Sequence, residues 1–175
     1  MSKRDFEQLL NNHSTQQESQ EINWGNQKDE WLEYIDSFYK TVERWFEPYV
    51  AAKNVYYSFY ETTLVEDYIG TYTVNKMKID FAGQSLVMEP IGTLLIGTKG
   101  RIDMEGARGR VQFILADKSR SGLSIQRKKS QSVTDKDQSK IEWTWKIVSR
   151  DSNRIRFEDF NEENFFDALM EVINV

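Results

Sequence analysis

The chain has 175 residues, 39% of them hydrophobic and 29% charged, with a formal net charge of −5 at pH 7. That length suits one compact domain and is short for two. Zero cysteine excludes disulfides, thiolate catalysis, zinc ribbons and iron–sulfur ligation, and a single histidine excludes most triads and imidazole metal sites.

The chain opens with a weak helical signal from Phe6, Leu9 and Leu10. The tract from Asn11 to Gln20 then has nothing to bury, which predicts a polar tail or weak helix over residues 1–23. Residues 24–175 read as a single α+β domain. Trp31, Ile35, Phe38, Val42, Trp45 and Tyr49 recur at spacings of four and three, the helical period, and predict an amphipathic helix over 27–47. Asn26 is placed to cap its start, and Pro48 to kink or end it at Glu47.

From Val55 to Phe157 the pattern changes to alternation. Met77, Ile79 and Phe81 alternate with Lys76, Lys78 and Asp80, and a turn at Gly83-Gln84 would set Phe81 opposite Leu86 and Ile79 opposite Met88. Glycine-bounded turns at 97–100 and 106–109 predict a three-stranded meander over 92–116. The first turn would pair Leu95 with Ile102. The second would place Glu105 opposite Arg110, Met104 opposite Val111 and Ile102 opposite Phe113. Further on, Ile141, Trp143, Trp145 and Ile147 share one face, and a loop at 150–152 would return Ile155 against Ile147 and Phe157 against Trp145. A last helix starts at Asn161, a capping residue, with Glu162 and Glu163 in its first turn and Phe160 stapled to Phe165.

The predicted architecture is a curved antiparallel sheet of about six to eight strands, with the N-terminal amphipathic helix and the C-terminal helix packed on it. The stretch from 118 to 140 departs from this pattern and reads as a basic loop. Between Lys99 and Lys140 eleven Lys/Arg face five Asp/Glu, a local balance of +6 that leaves −11 for the rest of the chain. Lys99, Arg101, Arg108, Lys118, Arg120, Arg127, Lys128 and Lys129 are the candidate cations for phosphates or an acidic partner.

Catalytic signals are sparse. The glycines at 97, 100, 106 and 109 lack both the Gly-Lys-Ser/Thr ending of a phosphate loop and the helix that follows a dinucleotide fingerprint. Asp159, Glu162 and Glu163 could gather around Mg²⁺, but the positive end of the helix dipole already accounts for acids there. His13 sits in the polar tract, and no Gly-x-Ser-x-Gly elbow exists. No catalytic residue, metal site or cofactor is therefore assigned.

The densest apolar run, Leu94-Leu95-Ile96, is too short for a bilayer, and the polar residues after Met1 predict no secretory leader, so the expected location is cytoplasmic. The expected function is that of a non-enzymatic, protein-binding accessory protein of inhibitor, immunity or adaptor type in a bacterial-type cytosol. The alternatives are a nucleic-acid-binding module using the 118–140 loop and a small-molecule-binding α+β cone. Another protein is the expected partner, nucleic acid the second choice, and a homodimer could form through helix 27–47 or an edge strand.

Overall fold

The computed structural model describes residues 3–93, 98–118, 142–151 and 153–174, with backbone alone for 12–24 and 151. Helix α1 spans Lys3–Ala51 and helix α2 spans Glu162–Val172. Between them lie β1 (Val55–Glu66), β2 (Gly70–Phe81), β3 (Gln84–Gly92), β4 (Gly100–Gly106), β5 (Gly109–Asp117), β6 (Trp143–Asp151) and β7 (Arg154–Asp159). Each strand pairs antiparallel with the next in chain order, giving an open sheet whose edges are β1 and β7. The expected α+β class and sheet are observed.

The helical stripe faces the sheet. Trp31, Ile35, Phe38, Val42 and Phe46 are buried in one core with sheet residues that include Met77, Met88, Met104, Phe113 and Trp145, whereas Tyr49 stays exposed. Phe38 sits at the centre, stacked on Phe160 at 4.9 Å and edge-on to Phe113 at 5.2 Å and Trp145 at 4.9 Å. Such ring pairs add to simple burial, and α2 joins the same core through Phe165, Ala168, Leu169 and Val172. The stripe is thereby consumed in the core and is not available as a dimer seam.

Several local expectations are corrected. The helix begins at Lys3, so Asn26 lies inside it and caps nothing. The polar tract holds no proline, and its glutamines and Glu18 are good helix formers. Pro48 lies inside the helix, one turn from its end at Ala51, and although it removes one intrahelical N–H it does not end the helix at Glu47. Termination is made beyond it by Lys53 in the left-handed region (φ 61°), with Asn54 N–H donating to the Tyr49 carbonyl at 2.9 Å and Lys53 N–H to that of Val50 at 3.0 Å.

The β2–β3 turn is Ala82-Gly83, both with positive φ, so Phe81 pairs with Gln84, Ile79 with Leu86 and Met77 with Met88. This shift of two residues keeps every side chain on the expected face. β3 pairs directly with β4 and sets Pro90 opposite Ile102, while Leu95 and the start of the first predicted turn at Gly97 lie outside the described residues. The β4–β5 register is as expected throughout.

The β6–β7 pairing differs by an odd number. Val148 faces Phe157 and Arg150 faces Ile155, which places Phe157 on the sheet side away from the helices, packed with Ile114 and Ala116. At the C-terminus, Asn161 caps α2 by accepting from Asn164 N–H at 2.8 Å.

Candidate functional site

The basic candidates do not converge among the described residues. Lys99 turns toward α1, where its ammonium meets Glu30 at 2.5 Å and lies over the rings of Tyr34 (5.6 Å) and Trp143 (5.4 Å). Arg101 points to the opposite face and binds Asp103 through two bonds of 2.6 and 2.7 Å, which holds its guanidinium further above its ordinary pKa. Asp103 is only 4% exposed and has Arg110 as a further cation at 3.6 Å. Lys118 pairs with Glu142 at 3.4 Å. Arg108 sits on the β4–β5 turn, its N–H donating to the Val172 carbonyl at 3.0 Å. Arg120, Arg127, Lys128 and Lys129 lie outside the described residues. Three of the four described cations are therefore matched by carboxylates, and they point in different directions.

The acids at 159, 162 and 163 do not form a cage either. Asp159 is held by Lys146 at 2.5 Å, and that ammonium keeps its carboxyl below the usual range. Among the described residues no three His, Asp or Glu side chains stand close enough to hold a metal ion. Among them, too, no helix is long and apolar enough to cross a membrane.

Open clefts flank the sheet. The β5–β6 ladder stops at Gln112↔Val148, and the strands part into a cleft of about 570 Å³ lined by Glu105, Arg110, Gln112, Arg150 and Glu171. Continuing that register would bring Arg110 opposite Arg150, and like charges opposite each other oppose pairing. A groove of about 520 Å³ runs between α1 and β1, lined by Lys40, Glu43, Arg44, Glu47, Val50 and Tyr57.

The strand beside that groove is the most unusual surface of the molecule. β1 is twelve residues long and none of its residues is lysine, arginine or proline; Tyr56 is 60% exposed, Tyr60 44% and Phe59 38%. No described strand pairs with its outer edge. Edge strands are normally blunted by shortness or charge, and β7 follows that rule, with Arg154, Arg156, Glu158 and Asp159 among its six residues. β1 does not.

Its position is fixed from both ends. Phe59 packs edge-on to Tyr39 at 5.2 Å, and the Tyr39 hydroxyl donates to the Asn75 carbonyl at 2.6 Å. Burial raises the pKa of that hydroxyl, with Glu89 adding to the effect, so it stays a neutral donor. At the far end, Trp31 Nε1–H donates to the Tyr72 oxygen at 3.1 Å, and Tyr72 donates in turn to Glu66. The aromatic run 56–60 is visible in the sequence, but which strand lacks a neighbour among the described residues is a non-local property. Comparison with known proteins adds no relative: the chain matches no protein family, no curated protein and no solved structure.

Proposed function

We propose that the chain is a non-enzymatic accessory protein of a bacterial-type cytosol, working by binding another protein, with the open edge of β1 as its docking element. The observation that carries this reading is the contrast between the two sheet edges: β7 is short and charged, β1 long, aromatic and without a cation. A strand added to β1 would gain main-chain hydrogen bonds along its length, while alternate side chains would reach the α1–β1 groove on one face and Tyr56 and Tyr60 on the other.

The test is capture from a lysate of the native host, using the tagged wild-type chain and a Tyr60→Lys variant as baits, with bound proteins identified by mass spectrometry. The expected result is a protein enriched at near-stoichiometric level by the wild type and lost from the variant. Equal recovery by both baits would remove β1 from the reading. A strong hydrolytic turnover abolished by one carboxylate substitution would replace it with a catalytic one.

A further inference from the structure

The residues of β1 from Tyr56 to Tyr60 read Tyr-Tyr-Ser-Phe-Tyr, an aromatic pattern nearly symmetric about Ser58. We infer that the occupant of this edge is a second copy of the same strand, antiparallel across a two-fold axis at Ser58, which joins two seven-stranded sheets into one of fourteen. The inference rests on the reading of β1 as the docking edge and names its partner.

The argument is one of register. A two-fold axis perpendicular to the sheet keeps the helices of both copies on the same side. Odd-numbered residues must then face odd ones and even face even, so that core faces and outward-pointing amides stay continuous. Among the registers this allows, the axis at Ser58 pairs Tyr57 with Phe59 of the second copy on the helix side, and Tyr56 with Tyr60 on the other. Counted over both copies this makes four cross-strand aromatic pairs. An axis at Tyr57, Phe59 or Tyr60 leaves one such pair, and an axis at Glu61 sets two carboxylates face to face. Aromatic pairs across a ladder stabilise it and like charges oppose it, so the sequence selects Ser58.

At the flanks, Glu61 of the second copy falls opposite Val55, beside a groove that α1 lines with Lys40 and Arg44 as well as Glu43 and Glu47. Phe59 is already held edge-on by Tyr57 at 5.8 Å and by Tyr39, and so is preset to receive another ring. The contact is isologous and closes on itself, which uses up both exposed aromatic edges without propagating a fibre.

The absence of cysteine allows a clean test. Sedimentation velocity of the full chain between about 1 and 200 μM, the range that a small interface calls for, is expected to show a concentration-dependent dimer. Ser58→Lys sets two ammonium groups opposite each other on the axis and is expected to raise the dimer dissociation constant at least tenfold, with the far-UV circular dichroism unchanged. Ser58→Cys is expected to cross-link to its own copy on mild oxidation. Thr62→Cys would sit about 27 Å from its counterpart at 3.4 Å per residue and is expected not to.

A wild-type chain that stays monomeric, a dimer indifferent to Ser58→Lys, or equal cross-linking at 58 and 62 would each overturn the inference. Should Ser58→Lys fail to fold, the cysteine pair decides alone. A monomeric wild type whose captured host protein is lost with Tyr60→Lys would sink the second-copy partner and leave the docking edge standing.

Discussion

Glu66 accepts both the amide and the hydroxyl of Thr93 on a single carboxylate oxygen, at 2.6 and 3.0 Å, and so ties the end of β1 to the chain leaving β3. Its other oxygen accepts from Tyr72, whose hydroxyl burial holds above the usual tyrosine range, with the Glu66 bond adding to the shift. Gly92 makes room for this arrangement: its φ is +149°, and a Cβ there would lie 2.8 Å from Glu66 Oε1. Glu66→Ala leaves these donors without their acceptor and should cost about 1–3 kcal/mol. Gly92→Ala should destabilise as well. Urea unfolding checks both, with a lower midpoint and an unchanged slope expected.

Gly100 lies beneath Trp31, and a methyl group there would overlap the indole. Gly100→Ala should therefore cost about 1–3 kcal/mol by overpacking. Gly25, inside α1 with nothing within 4 Å of its would-be Cβ, provides the opposite case. Gly25→Ala should stabilise the helix by up to about 1 kcal/mol. Thermal melts followed by circular dichroism should move in opposite directions for the two alanines.

Lys53 ends α1 in a left-handed conformation that glycine adopts without steric cost. Lys53→Gly should raise stability by about 0.5–1 kcal/mol, since the backbone bonds of Asn54 and Lys53 to α1 carbonyls do not depend on the side chain. Chemical denaturation of the variant measures this, and a loss of stability would mean that the Lys53 side chain matters more than its backbone.

Arg101 supplies two of the bonds that satisfy the buried Asp103 carboxylate. Arg101→Met should cost about 2–3 kcal/mol, because one partner of a buried charge pair is removed while Arg110 remains at 3.6 Å. The double variant Arg101→Met, Asp103→Leu should recover part of that loss. A double-mutant cycle gives the coupling directly.

The Asp159 carboxyl is held below its ordinary value of 3.8 by the hydrogen bond from Lys146 and by the charge of that ammonium. A depressed folded-state pKa means that the pair's contribution is fully present above the unfolded value and is lost as pH falls through the lower, folded one. Wild type and Asp159→Asn should therefore differ in melting temperature at pH 7 and begin to converge only as pH falls below about 4. A gap undiminished at pH 2 would show that the pair is not its source.

The β4–β5 hairpin was legible in full because three local signals agree there: two glycines around a tight turn, opposite charges on one face and apolar residues on the other. The β6–β7 hairpin was not. Its alternation is equally clear, but pairing starts at Asp151↔Arg154, and a shift by an odd number of residues sent Phe157 to the far face. The candidate cations were legible only as a count, since their carboxylate partners lie on other elements, as Glu30 does for Lys99.

Periodicity along the chain by itself determined the class, the two amphipathic helices and which residues of most strands would be buried, because a side chain's face depends only on its own neighbours. Tertiary structure decided the β6–β7 register, that Gly100 serves a helix contact rather than a turn, and that β1 has an open edge among the described residues. Those depend on turn length and on the meeting of distant elements, and no local pattern encodes them.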